Sequence, residues 1–539
     1  MADYRMIKRA KKWLNIFREF GQLSSSMQKY FYFLIFYVLI QQSGFSQVEV
    51  SITADTHQTI ISRHIYGHFA EHLGRCIYDG FYVGEKNKNI PNTKGVRNDI
   101  VEALKKLNIP NLRWPGGCFA DTYHWKDGIG AKEKRPKMVN IWWGGVTEDN
   151  SFGTHEFLDM CELLGTEPYI AGNVGSGTAQ ELAEWVQYVN FKGVSPMSDL
   201  RAKNGRKEPW KVKFWGVGNE AWGCGGNMRP EYYSDIYRKY ATFMSDWTSS
   251  GQLYRIASGA NSSDYNWTEV LMKNIPGRMV AGLALHHYSV IDWNKKGSAT
   301  EFDETSYFKT MQRAWFVDTL ITRHSAIMDK NDPEKNIALV VDEWGGWYDV
   351  EKETNPGFLF QQNTMRDAMI AGVTLNIFNN HSDRVRMANL AQTVNVLQAV
   401  ILTDKEKMIL TPTYHVMEMY KVHQDARLLK LNYDGKKYSL NGESLPAISL
   451  SASTDSTGVT HISAANIDAH TEQIIRINTA GQKYSQVHGR ILQSGKLQDH
   501  NSFNDPDKVK PVEFKGATLK DGIVEFKIPA FSVILLELK

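Results

Sequence analysis

From about residue 60 to residue 400, short apolar runs rich in β-branched and aromatic residues alternate with longer amphipathic stretches. Eight of the runs read as buried strands: HIYGHFAE (64–71), IPNLRWPGG (109–117), EPYIAGNVG (167–175), KVKFWGVGNE (211–220), YRIASGAN (254–261), MVAGLALHHY (279–288), NIALVVDEW (336–344) and VTLNIFNN (373–380). Between them, segments such as NDIVEALKKL (98–107) and AQELAEWVQYVN (179–190) repeat their apolar residues at intervals of three and four, the period of a helix packed on one face. Strands separated by helices require right-handed crossovers and a parallel sheet, and eight strands are the number that closes a (β/α)8 TIM barrel. After about residue 410 the pattern changes to short alternating strands with turn signals, as in GVTHISAANI (458–467) and GIVEFKIPAFSVILLELK (522–539), which predicts an antiparallel β-sandwich. VEVSITADTHQT (48–59) alternates in the same way and is expected to join that sheet. The expected fold is therefore α/β: a barrel over 61–405 and a C-terminal β-sandwich over 406–539, with residues 47–60 contributing one or more strands to the sandwich.

The N-terminus stands apart. Residues 30–40, YFYFLIFYVLI, form an apolar block too short for a membrane span but suited to the core of a signal peptide, and small residues follow in QQSGFSQ. Residues 1–46 are read as a signal peptide with an upstream extension, the start lying at Met27 or Met1. The expected mature chain begins near Gln47 and is exported to the periplasm or the outside, with no membrane contact after cleavage. An uncleaved signal anchor is the alternative. Losing residues 1–46 removes seven basic and two acidic side chains and takes the formal charge from +3 to −2.

That near-neutral balance, with no basic stripe, argues against a nucleic-acid partner. The four cysteines, Cys76, Cys118, Cys161 and Cys224, are widely spaced and match no zinc pattern; their even count in an exported chain permits disulfides without demanding them, and buried thiols are the expectation. No metal-ligand cluster or nucleotide-binding loop is visible, and no cofactor is expected.

The chemistry is concentrated at strand ends. KFWGVGNEAW (213–222) rises like a buried strand and delivers Asn219 and Glu220; ALVVDEWGG (338–346) delivers Glu343 in the same way. In a barrel the C-terminal strand ends carry catalytic groups, so both carboxylates should face one mouth. Two carboxylates across a pocket suit glycosidic cleavage, one protonating the leaving oxygen while the other attacks or activates water.

Several motifs, IYGHFAEHLGRCIYDG (65–80), LRWPGGCFADTYHWKDGIG (112–130), WGVGNEAWGCGG (215–226), HHY (286–288), DEWGGWY (342–348) and MANLAQTVNVLQA (387–399), give the chain its likeness. It resembles the α-L-arabinofuranosidases of glycoside hydrolase family 51. The resemblance spans nearly all of the expected mature chain. It implies a retaining mechanism with Glu220 as acid/base and Glu343 as nucleophile, for which the carboxyls should lie about 5 to 5.5 Å apart. Asn219 is placed to hydrogen-bond a sugar hydroxyl, the 2-OH by preference, and Arg113 to help keep Glu343 ionised. Glu71 and Gln392 match sugar-binding positions, Tyr288 should neighbour the nucleophile, and His287 is read as shaping the pocket rather than titrating. The chain departs from many members at Cys118, where an Asn that contacts the sugar often follows the two glycines. Trp142 and Trp143, in an insert-like segment (132–150), either stack on leaving-group sugars or are buried under the next helix.

The implied substrate is an arabinose-containing plant polysaccharide or oligosaccharide such as arabinan or arabinoxylan, and homo-oligomers are expected. Two other readings stay open: a different retaining hydrolase on the same barrel, such as an endo-glucanase or xylanase, and a non-catalytic carbohydrate-binding protein. The paired carboxylates argue against the last.

Overall fold

The computed structural model describes residues 47–539 apart from 55–57, 249–252, 480, 482 and 483; the expected signal peptide lies outside the described residues. Eight parallel strands close a barrel in sequence order: β1 (Gly67–Phe69), β2 (Asn111–Trp114), β3 (Glu167–Gly172), β4 (Phe214–Val217), β5 (Tyr254–Asn261), β6 (Gly282–Ser289), β7 (Ala338–Gly346) and β8 (Val385–Ala391). Helices return the chain between them: α1 (Asn98–Leu107), α2 (Thr154–Leu164), α3 (Ala179–Asn190), α4 (Pro230–Phe243), α5 (Tyr265–Asn274), α6 (Glu304–Asp329) and α7 (Met365–Asn380). In α1, Ile100, Val101, Ala103, Leu104 and Leu107 are buried, the face its sequence period calls for, and Asn108 ends the helix in the left-handed conformation.

Seven of the eight expected strands overlap the observed ones; the last does not. VTLNIFNN (373–380) is the C-terminal half of α7, and the eighth strand is Val385–Ala391. The reason is burial: every residue from Met365 to Asn379 is buried, because α7 lies between the barrel and the second sheet. A helix covered on all sides shows no one-sided apolar stripe, and its β-branched residues then read as strand. Thr364 starts it, accepting from the Arg366 amide, while the Asp367 carboxylate accepts from the Thr364 amide.

The second sheet has ten strands, and the hydrogen-bond order runs 512–513, 487–492, 532–538, 460–466, 448–454, 427–433, 47–54, 473–478, 523–528, 517–520. It folds over on itself, so that 523–528 also lies against 460–466 and 532–538, which makes the β-sandwich. The strand Gln47–Ala54 sits between strands from the far end of the chain, pairing antiparallel with Arg427–Tyr433. Asn376 of α7 donates to the Ser449 carbonyl (3.0 Å) and Tyr307 of α6 to that of Ile467 (2.7 Å), which fixes barrel and sandwich against each other. No helix of the described residues is long and apolar enough to cross a membrane.

Candidate active site

The barrel mouth is built on two strand ends. After β4, Gly218 (φ 82°) turns the chain and Glu220 sits at φ 39°, a region bulky residues enter only where the surroundings hold them. Asp121, in the loop after β2, does the holding. Its Oδ2 accepts from the Asn219 amide (2.8 Å), and its Oδ1 from the amides of Val174 (2.7 Å) and Gly175 (2.8 Å) beyond β3. Burial pushes the Asp121 carboxyl up to about 7, against those three amides.

The second strand end carries an extra residue. Along the β6–β7 ladder Ala284 pairs with Val340, yet His286 pairs with Glu343, so β7 has one residue more than β6 over that step, and its register with β8 shifts between Val341 and Trp344. Such a bulge breaks the strict alternation of faces. Asp342 and Glu343, adjacent in sequence, both reach groups of the site: Arg113 Nη1 donates to Glu343 Oε1 (2.8 Å), and its Nε lies 3.6 Å from Asp342 Oδ2.

Arg113 organises the floor of the pocket. It is buried, its Nη2 donates to Asn219 Oδ1 (2.6 Å), and its charge lies over the Phe69 ring. Because a guanidinium only donates, Asn219 must turn its carbonyl to Arg113, which sends the amide NH2 the other way, where Nδ2 lies 3.8 Å from Cys224 Sγ. Tyr288 donates to Glu343 Oε2 (2.7 Å). Gly117 leaves room for the carboxylate, since a Cβ there would lie 2.8 Å from Glu343 Oε1.

A carboxylate oxygen of Glu220 and one of Glu343 lie within 4.8 Å of each other, with a nitrogen of His286 inside the same distance of both. His286 Nδ1 is 2.8 Å from Glu220 Oε1 and 3.5 Å from Glu343 Oε2, and its Nε2 is 3.1 Å from Asp342 Oδ1. Burial works against charge on His286, but the carboxylates of Glu343 and Asp342, with hydrogen bonds to Asp342 and Glu220, raise it to about 10. It therefore stands as an imidazolium at neutral pH. Glu220 is raised by burial and by the charge of Glu343, while its bond from His286 restrains the rise. Burial disfavours the charge of Asp342, yet Arg113 and His286 hold it below the ordinary Asp value.

Around this centre lies a second carboxylate arrangement. Glu71, buried at the end of β1, accepts from the Phe119 amide (3.0 Å) and Trp143 Nε1 (2.9 Å) through Oε1, and from Gln392 Nε2 (3.0 Å) through Oε2. Burial and the Glu343 charge raise it to about 7. Cys118 and Cys224 are joined in a disulfide that ties the loop after β2 to the loop after β4, and Cys224 Sγ is 3.5 Å from Glu220 Oε2. The expectation of four buried thiols holds only for Cys76 and Cys161. Barrel closure brings the other two, 106 residues apart, to a Cα separation of 5.4 Å.

The structure thus brings Glu220, Glu343, Asn219, Arg113, Tyr288, Glu71, Gln392 and Cys118 into one mouth. His287 is the exception. Side chains alternate along β6, so His286 and Tyr288 face the carboxylates while His287 points outward, Nε2 donating to the Arg313 carbonyl of α6 (2.8 Å), and burial lowers it to about 4. Sequence reading missed His286, Asp342 and Asp121. The first follows from the two-residue period in HHY, which puts His286 on the same face as Tyr288; the other two depend on a bulge and a loop that no period reveals. Trp143, left open between stacking and burial, touches Glu71.

The chain is similar to proteins of known activity. Residues 103–306 match the model of the α-L-arabinofuranosidase 1 domain and residues 342–532 that of the α-L-arabinofuranosidase C-terminal domain. The intracellular exo-α-L-arabinofuranosidase of Bacteroides ovatus is 52% identical over 93% of this chain and 97% of its own length. Among solved structures, the GH51 arabinofuranosidase of Xanthomonas axonopodis pv. citri superposes with a TM-score of 0.89 at 48% identity, covering 92% of this chain and 100% of that one. The arabinose complex of the Thermotoga maritima α-L-arabinofuranosidase gives 0.80 at 30%, covering 91% and 99%. The Bacteroides relative overturns the expectation of export, because so similar a protein is named intracellular; an apolar block of signal-peptide length carries no address by itself. With both family domains matched and half its residues shared with an exo-α-L-arabinofuranosidase, the chain belongs to the α-L-arabinofuranosidases of glycoside hydrolase family 51.

Proposed function

We propose that this enzyme releases terminal non-reducing α-L-arabinofuranosyl residues by double displacement, with Glu343 as nucleophile and Glu220 as acid/base. The observation that carries the reading is the approach of the two carboxylates to within 4.8 Å. Inverting enzymes keep their carboxyls about 6.5 to 9.5 Å apart to admit a water, whereas a close pair lets one oxygen attack the anomeric carbon directly. Glu343, fixed by Arg113 and Tyr288, forms the glycosyl-enzyme. Glu220, whose raised affinity for protons suits it to donate, protonates the leaving oxygen. Once Glu343 is esterified its charge is gone, so Glu220 more readily releases a proton and then serves as base for the incoming water.

Asn219 Nδ2 donates to a sugar hydroxyl, the 2-OH by preference, and Glu71 with Gln392 holds others. Exo action is carried over from the Bacteroides relative, which is named an exo-α-L-arabinofuranosidase. Following the Bacteroides relative, the enzyme acts inside the cell, where oligosaccharides derived from arabinan or arabinoxylan are more accessible than the polymers. Self-association, carried over from the family, belongs to the same proposal and is tested by sedimentation.

Release of arabinose from an aryl α-L-arabinofuranoside tests the function. Turnover by the parent that falls by about four orders of magnitude or more in Glu343→Ala supports it; no turnover by a folded parent refutes it.

A further inference from the structure

Zinc patterns in a sequence depend on close cysteine spacing, and here the fold supplies a closeness that the sequence lacks. Cys118, in the loop after β2, and Cys224, in the loop after β4, are joined beside Glu220. One sulfur from each and one Glu220 oxygen all lie within 4.8 Å of one another. The three residues are half-buried, so the cluster is within reach of solvent. Glu220 divides its oxygens. His286 Nδ1 lies 2.8 Å from Oε1, while Oε2 faces Cys224 Sγ at 3.5 Å. Cys224 Sγ also has Asn219 Nδ2 at 3.8 Å, a donor that favours a thiolate. The other two cysteines, Cys76 and Cys161, are buried elsewhere as free thiols.

We propose that the Cys118–Cys224 disulfide masks an inhibitory zinc site: once the bond is reduced, both thiolates and Glu220 Oε2 bind Zn2+ and shut the enzyme off. Tetrahedral zinc with Zn–S about 2.3 Å and Zn–O about 2.0 Å holds sulfur and oxygen about 3.5 Å apart, and Cys224 and Glu220 already stand at that distance. Two sulfurs on one zinc lie about 3.8 Å apart. Side chains whose Cα atoms are 5.4 Å apart reach that spacing by turning about their Cα–Cβ bonds. A dithiol supplies two electrons and two protons to the S–S bond and leaves as its own cyclic disulfide. Zinc then displaces the thiol protons to solvent, with water as fourth ligand. Two thiolates and a carboxylate offset the ion's charge beside Arg113 and His286. A disulfide of this kind is labile in the reducing cell interior proposed above. Binding rests on the sulfurs and the carboxylate alone, whereas the loss of turnover rests on Glu220 being the proposed acid/base.

The test compares the full chain, oxidised and after reduction by a dithiol that is then removed under nitrogen, with Co2+ as the optical probe. Below its melting transition the reduced protein should bind about one Co2+ with thiolate charge-transfer and tetrahedral d–d absorption, which Zn2+ erases. Zn2+ should also raise the melting temperature of the reduced protein. The oxidised protein should show neither effect. With methyl α-L-arabinofuranoside, whose leaving group needs the acid, zinc should cut arabinose release by the reduced protein about 100-fold or more, and a chelator should restore it. Cys118→Ser/Cys224→Ser should lose the absorption. Glu220→Gln, which keeps both sulfurs, should lose at least about 10-fold in Co2+ affinity. Folded, reduced protein without the absorption, or Glu220→Gln that binds as tightly as the parent, overturns the site. Equal zinc inhibition of oxidised and reduced protein overturns it too, since the metal would then sit on Glu220, His286 and Glu343. An oxidised, metal-free parent that releases no arabinose overturns the glycosidase reading instead, which separates the two failures.

Discussion

Nδ1 of His286 lies 2.8 Å from Oε1 of Glu220, on the strand next to the one that carries Glu343. The contact sets how tightly Glu220, the proposed acid/base, holds its proton. Because the imidazolium favours the carboxylate form, His286 works against burial and against the Glu343 charge, which both raise Glu220. In the proposed mechanism activity needs Glu220 protonated, so it should be lost as pH rises through that group's value. In His286→Gln the restraint is weakened and the alkaline limb of the kcat/KM profile should move to higher pH. The same variant should lose about 10- to 100-fold in kcat, the worth of one hydrogen bond to a charged group. A limb that stays in place, or moves down, would contradict the assigned role.

Arg113 serves Glu343, Asn219 and Asp342 at once and is almost wholly buried. Arg113→Met leaves two carboxylates without their cation. It should destabilise the fold by about 3–5 kcal/mol and abolish measurable turnover. Thermal unfolding and arabinose release check the two parts separately, and Arg113→Lys, which keeps the charge but not the fork, should recover more stability than activity.

Gly117 tests positioning without a change of charge. In Gly117→Ala the new methyl meets Glu343 Oε1 at 2.8 Å, and the carboxylate end is what can yield. Displacing Glu343, the proposed nucleophile, by about 1 Å should cost on the order of 100-fold in kcat. The melting temperature should barely change.

The Cys118–Cys224 disulfide closes a long loop of chain. In the chain-entropy account a closure of that length stabilises by about 5 kcal/mol. A dithiol reductant, or the double variant Cys118→Ser/Cys224→Ser, should therefore lower the melting temperature, and turnover should fall with it because Cys224 lies against Glu220. A melting curve unaffected by reduction would show that the bond adds nothing to stability.

Much of the site could be read from the chain because its parts obey local rules. Glu220 and Glu343 end apolar runs that only a buried strand explains, and the ends of parallel barrel strands share a mouth. What escaped depends on tertiary context. Strand β8 was mistaken because α7 is buried on every side and loses its amphipathic signature. Asp342 enters the site only through the added residue in β7, and the cysteine pair meets only because the barrel closes. His287 was named in place of His286, a slip of one residue that changes the face of the strand.

The central claim is the covalent role of Glu343. The most direct measurement is the mass of peptides from Glu220→Ala after brief exposure to a dinitrophenyl α-L-arabinofuranoside, whose good leaving group needs no acid while the missing base slows hydrolysis. One arabinosyl group on the peptide that contains Glu343 is the predicted result. Rapid release of the dinitrophenol with no adduct, or with the adduct on another residue, would contradict it.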